Sequence, residues 1–223
     1  MEKNEKTFRP AAVIFDMDGL MLDTERLTIP LWAEAGIIFG YFISEDIVLK
    51  TVGISNAKAR EILINEFGPD FPYDKIREEF RLIVSREIDR NGVPKKPGLD
   101  DLLDRLTSAD IPFGVATSSR RSTADEMLGK AGILNRFASI TCGEDVVNGK
   151  PAPDIFLLAA ERLGQPPSAC AGLEDSPAGL RGLHAAGIRS VFIKDVIEPP
   201  EDVLAAVWRR CGNLTEAAEL FGI

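Results

Sequence analysis

Short apolar runs that end on a polar or small residue recur along this chain. Residues 11–15 (AAVIF) end at Asp16, and 112–116 (PFGVA) end at Thr117. Residues 139–142 end at Gly143, 169–173 at Glu174, and 190–193 at Lys194. Continuous apolar runs of this length predict strands buried on both faces, as in a parallel sheet. Helical patterns lie between them. Residues 99–109 carry Leu102, Leu103 and Leu106 on one face. Ser122, with Asp125 three residues on, reads as a helix N-cap with a weak capping box. Ser176 followed by Pro177 reads as N-cap then first helical residue, in a helix ending near Gly187. This alternation predicts an α/β, doubly wound parallel sheet.

The segment 24–94 breaks the alternation. Ile76, Phe80, Ile83, Val84 and Ile88 recur at helical spacing, and 57–67 is rich in Ala, Lys and Glu. Pro94 and Pro97-Gly98 then punctuate the chain. The expected organisation is a core of residues 1–23 and 95–223, with an α-helical domain inserted at 24–94.

Composition narrows the function. The chain has 223 residues and a net charge of −9, so it lacks the overall basic footprint of a nucleic-acid binder. The longest apolar runs are far shorter than a membrane span, and MEKNEKTFRP at the start has no signal-peptide core. The expectation is a cytoplasmic protein, monomeric by default, with no nucleic-acid or membrane partner. Cys142, Cys170 and Cys211 are distant from one another and form no C-x-x-C pair, so they read as plain thiols. The one histidine, His184, sits in a helical pattern and reads as a packing or surface residue.

Four polar clusters fall at the predicted strand ends or just beyond: Asp16-Met17-Asp18-Gly19, Thr117-Ser118-Ser119, Lys150-Pro151 and Glu174-Asp175. Open α/β sheets bind ligands outside the carboxyl ends of their strands, so the four converge on one crevice. Singly each is ordinary: an acidic pair at a strand end, a helix cap, a surface lysine, charge at a helix N-terminus. Together they put four carboxylates in one place, and those would repel and raise one another's pKa values without a cation. A hard divalent ion, Mg2+, with Lys150, the Thr117 hydroxyl and turn amides makes a site for a phosphate group.

The residues DMDGLMLDTE at 16–25, VATSS at 115–119, GKPAPDIF at 149–156 and LEDSPAG at 173–179 resemble the haloacid dehalogenase superfamily. The likeness is to its phosphatases and phosphomutases with a small helical cap, and it runs from about residue 11 to 195. It implies a Rossmann-like core with a cap domain. It implies that Asp16 attacks phosphorus to form an aspartyl-phosphate, and that Asp18 is general acid and then base. Thr117 would bind the transferring oxygen, with backbone N–H groups of Met17, Asp18 and Ser118. Lys150 would neutralise charge on Asp16 and the phosphoryl group. Asp16, the Asp18 carbonyl, Asp175 and Glu174, directly or through water, would hold Mg2+. Gly19 permits the turn after the acid pair.

Within that superfamily, Asp18 separates phosphoryl chemistry from haloalkanoate dehalogenation. The β-phosphoglucomutase-like members carry a histidine twelve residues after the nucleophile, where this chain has Thr28. They also carry cations in a cap loop, where this chain has Val52 and Asn56. The expected activity is therefore hydrolysis of a small phosphomonoester: a sugar, polyol or nucleoside phosphate. A closing cap favours small substrates, and Ser55 and Asn56 are the expected cap contacts. The alternatives are a sugar phosphomutase and a non-catalytic receiver-like binding protein.

Overall fold

The computed structural model describes residues 7–52, 54 and 56–223. Six strands form one parallel sheet: β1 (Ala12–Phe15), β2 (Phe113–Thr117), β3 (Ser139–Cys142), β4 (Cys170–Glu174), β5 (Arg189–Ile193) and β6 (Arg209–Cys211). Their spatial order is β3-β2-β1-β4-β5-β6. The chain winds outward in both directions from β1, which pairs with β2 on one side and β4 on the other. Every residue of β1, β2 and β4 is buried, which is why these segments read as unbroken apolar runs.

Ten helices accompany the sheet among the described residues: α1 (Thr24–Ile38), α2 (Glu45–Leu49), α3 (Asn56–Phe67), α4 (Tyr73–Asn91), α5 (Leu99–Ser108), α6 (Arg121–Lys130), α7 (Asp154–Arg162), α8 (Pro177–Ala185), α9 (Glu201–Ala206) and α10 (Leu214–Leu220). The chain divides into two compact units, residues 23–94 and the remainder. The first unit named is the four helices α1–α4. There α1 packs on α4, with Trp32 stacked 4.3 Å from Phe80, and Ile76, Ile83 and Ile88 buried on one face of α4.

The other unit is the sheet with its helices. Helix α7 lies on β2 and β3, burying Ile155, Phe156, Ala159 and Ala160 at helical spacing. These close a core with Ala12, Ile14 and Ala116 of the strands. Leu99, Leu102, Leu103 and Leu106 are the buried face of α5. One local expectation is corrected, and one strand had not been expected. Helix α6 starts at Arg121 behind an N-cap at Arg120, so Ser122 lies inside its first turn. Strand β6, Arg-Arg-Cys, gave no apolar signal because it is a three-residue edge strand with charged side chains. Ser176, by contrast, does cap α8, its hydroxyl accepting from Gly179 N at 3.0 Å.

Candidate active site

The first cluster is fixed to the sheet by its own backbone. Asp16 N donates to Leu173 O of β4 at 3.1 Å. Beyond it the chain doubles back: Met21 N and Leu22 N both donate to Met17 O, and Gly19 N donates to Leu22 O at 3.0 Å. Gly19 holds this turn at φ +83°, and a Cβ there would stand 2.5 Å from Asp175 Oδ2. Position 19 is therefore restricted twice, by its left-handed backbone and by the carboxylate that fills the space beside it.

The second cluster follows β2. Thr117 is buried, and its Oγ1 accepts from Ser119 N at 3.0 Å. Ser119 Oγ donates to Asp18 Oδ2 at 3.0 Å, joining the ends of β1 and β2. A turn after β3 braces this loop. Gly143 N donates to Ser119 O at 3.1 Å, and a Cβ at Gly143 would stand 2.6 Å from Ser118 O. The turn is held in place by Asp145, whose Oδ2 accepts from Cys142 N at 2.9 Å, Arg162 at 2.7 Å and Arg121 at 3.1 Å.

The hydrogen bond from Arg162, then that from the Cys142 amide, holds the Asp145 carboxyl below its ordinary pKa. A depressed pKa favours the folded protein above the ordinary carboxylate range and loses that contribution as pH falls through the folded value. Asp145→Ala is expected to lower stability in urea by about 1 kcal/mol near neutral pH. The gap from wild type should narrow as the medium is acidified. A pH-independent difference would mean that the carboxylate charge is not what braces the turn.

The third and fourth clusters meet Asp16. Glu174 is fully buried at the end of β4, and its Oε2 accepts from Ser176 N at 2.7 Å. The carboxylate occupies the space a Cβ of Gly179 would need, only 1.6 Å from Oε1, so α8 can start this close only with glycine there. Lys150 has its side chain 6% exposed. Its Nζ donates to Asp16 Oδ1 and to Glu174 Oε1, the latter at 2.7 Å, and lies 4.9 Å from the centroid of the Phe156 ring. Burial pushes Asp16 up to about 8, against the opposing charge of Lys150 and with further help from Glu174. Burial alone would lower the pKa of Lys150, but the charges of Asp16 and Glu174 outweigh it and hold the ammonium above its ordinary value. Burial thus works against the charge on Asp16, and the ammonium of Lys150 works for it.

The structure thus brings Asp16, Asp18, Thr117, Lys150, Glu174 and Asp175 to one end of the sheet. Met17 is buried in the turn after β1, and Ser118 is exposed on the loop after β2. Asn56 opens α3 in the helical unit, where its Oδ1 accepts from the Tyr73 hydroxyl at 2.6 Å. Ser55 lies outside the described residues. Sequence reasoning assigned no role to Ser119, Lys96 or Asp195. Ser119 was visible only as part of a polar run, and its partner Asp18 is 101 residues away. Lys96 Nζ forms an ion pair with Asp195 Oδ1, and the only local trace is a Lys-Lys pair before Pro97-Gly98.

Fold and site together describe an α/β protein whose candidate polar groups gather beyond the strand ends on both sides of β1. The chain belongs to the haloacid dehalogenase-like hydrolase family, whose model matches residues 10–187. It is 33% identical over 216 residues to Protein CbbY of Rhodobacter capsulatus, covering 89% of this chain and 91% of that one. It is also 33% identical over 192 residues to a protein of Drosophila melanogaster named as a probable pseudouridine-5'-phosphatase, covering 82% and 80%. Among solved structures, CbbY from Rhodobacter sphaeroides in complex with phosphate superposes with a TM-score of 0.72 at 25% identity, covering 93% of this chain and 96% of that one.

Enzymes of this family generally use a divalent metal. One carboxylate oxygen each from Asp16, Glu174 and Asp175 lie within 4.8 Å of one another. An all-oxygen donor set suits a hard cation. The missing Cβ atoms of Gly19 and Gly179 let the Asp175 and Glu174 carboxylates lie where they do. The residues present fit the group. No described helix is long and apolar enough to cross a membrane.

Proposed function

We propose that this protein is a magnesium-dependent phosphatase that hydrolyses a small phosphomonoester, a sugar, polyol or nucleoside phosphate, through an aspartyl-phosphate on Asp16. The observation that carries this reading is the ammonium of Lys150 bonded to both Asp16 and Glu174, beside Asp175. Phosphoryl transfer asks a protein for in-line positioning and charge stabilisation more than for elaborate covalent chemistry. A buried cation held against the nucleophile supplies the second of these.

Asp16 attacks phosphorus, and the P–O bond to the leaving alcohol breaks as the new one forms. Asp18 gives its proton to the departing oxygen, then takes one from the water that cleaves the phosphoenzyme. Ser119 holds the Asp18 carboxyl at the strand end through its hydroxyl. Thr117 and the amides of Met17, Asp18 and Ser118 receive the phosphoryl oxygens. Lys150 keeps a positive charge against the developing negative charge throughout. Asp16, the Asp18 carbonyl, Glu174 and Asp175 would hold Mg2+, which when bound supplies charge neutralisation for the phosphoryl oxygens.

Hydrolysis is favoured over mutase chemistry by Thr28, whose hydroxyl donates to Glu25 O of its own helix at 3.2 Å. It offers no acid/base group where the mutases carry histidine. Ser55 and Asn56 are assigned to substrate selection. Nucleoside phosphates are among the classes to try first, since the Drosophila relative is named as a probable pseudouridine-5'-phosphatase. The protein acts in the cytoplasm as a monomer. The test is a panel of sugar, polyol and nucleoside phosphates with Mg2+, scored by kcat/KM and phosphate release. Hydrolysis of one class at least tenfold above the rest supports the reading. Release of no phosphate from any ester, or interconversion of sugar phosphates without release, overturns it.

A further inference from the structure

A second buried ion pair lies against the carboxylate cluster. Asp195 follows β5 and its side chain is 3% exposed, while that of Lys96 is 12% exposed. Lys96 sits where the chain returns to the sheet unit, and its N–H donates to Met21 O at 2.8 Å. Lys95 beside it bridges to Leu22. Lys96 is therefore tied by its backbone to the turn that follows Asp16 and by its side chain to the end of β5.

The other oxygen of Asp195 points the pair at the site. A Cβ built on Gly19 would stand 3.3 Å from Asp195 Oδ2 and 2.5 Å from Asp175 Oδ2. Two carboxylates from neighbouring strand ends thus converge on one glycine, and one of them belongs to the cation cluster. Buried ion pairs rarely repay their desolvation in stability, so one kept beside a functional cluster calls for another explanation. Here the pair does two things. It restrains a carboxylate that would otherwise be a further anion facing Asp175, and it locks the Gly19 turn to β5.

We propose that Lys96 and Asp195 are a positioning pair whose balanced charges keep the divalent-cation affinity of the Asp16–Glu174–Asp175 cluster in range and whose contact ties the Gly19 turn to β5. The inference rests on the metal-dependent reading of the site. Its signature is a pair of opposite electrostatic effects. Lys96→Met leaves the Asp195 charge uncompensated near the cluster and should tighten cation binding. Asp195→Asn leaves the Lys96 charge uncompensated and should weaken it. Each change is expected to be at least about threefold, because charges this close interact strongly in a partly buried site. A role confined to stability would move both variants in the same direction.

The experiment is calorimetric titration of the full-length protein with MnCl2 and with MgCl2 in the absence of substrate. Wild type, Lys96→Met, Asp195→Asn, Lys96→Arg and the double variant K96M/D195N are compared, with thermal melting as the check on folding. Lys96→Arg keeps the charge and should bind within about twofold of wild type. The double variant removes both charges and should also bind within about twofold. At saturating Mg2+ its kcat for p-nitrophenyl phosphate should still fall at least about fivefold with KM little changed, since the Gly19 turn that follows Asp16 and Asp18 is then no longer tied to β5. Should a single variant fail to fold, the double variant carries the test by that split between kcat and affinity. Wild-type binding with both single variants unchanged, or shifted in the same direction, overturns the pair. So does a double variant with wild-type kcat. Failure of wild type to bind either cation overturns the metal-dependent reading, and the pair's role with it.

Discussion

Asp16→Asn is expected to lower kcat for p-nitrophenyl phosphate on the order of 10^4-fold or more, the scale seen when a covalent nucleophile is removed. The substitution keeps the shape of the side chain, and Lys150 retains Glu174 as a partner at 2.7 Å. The fold should therefore survive, with melting close to wild type. What would be lost is the anion proposed to attack phosphorus, and a neutral amide does not replace it. The buried setting of Asp16 sharpens the expectation. Burial raises its pKa to about 8 while the charge of Lys150 opposes that rise, so the carboxylate depends on its ionic partner. Rapid-quench trapping of a phosphoenzyme in wild type and not in the variant would complete the argument. Residual activity within tenfold of wild type, with the substitution verified, would remove Asp16 from the role proposed.

The second large effect belongs to Asp18. Asp18→Asn should lower kcat about 10^2- to 10^4-fold, the usual worth of a positioned acid/base group. The Ser119 hydroxyl can still donate to the amide oxygen, so the loop after β2 should keep its place. Cation binding should persist, because the ligand proposed from Asp18 is its backbone carbonyl. The loss should also depend on the leaving group. An alkyl alcohol needs a proton as it departs, whereas p-nitrophenolate leaves without one, so the deficit in phosphoenzyme formation should be greater for the alkyl ester. Measuring phosphoenzyme formation and breakdown separately for both esters checks this. An equal, small deficit in both steps would contradict the acid/base role.

The reach of the sequence here follows the physics of each element. β1, β2 and β4 were legible because strands buried on both faces must be apolar throughout. The polar residues that end them stood out against that background, and the order of Asp16, Thr117, Lys150 and Glu174 along the chain made their convergence readable. β6 was not legible, because Arg209 and Arg210 serve an exposed edge where no apolar pattern is required. The start of α6 was misjudged because Ser122 is a good cap by type, yet the backbone turns at Arg120. Ser119 with Asp18 and Lys96 with Asp195 lay beyond reach for a different reason. Each joins residues about a hundred positions apart, and only the sheet order brings them together.

That sheet order also governs when the enzyme can come into being. Val13 of β1 pairs with Phe113 on one side and Ala171 on the other. The central strand is thus made first, while its two neighbours are made far later, with the whole helical unit synthesised in between. Closing such long loops is slow, because their entropy is spent before the pairing repays it. On a growing chain the AVIF strand keeps one edge unpaired until β4 has emerged. In the same interval Asp16 stands without Lys150 and Glu174. The group expected to attack phosphorus is among the first residues made, and the last of the partners that prepare it arrives with the strand that finally encloses it.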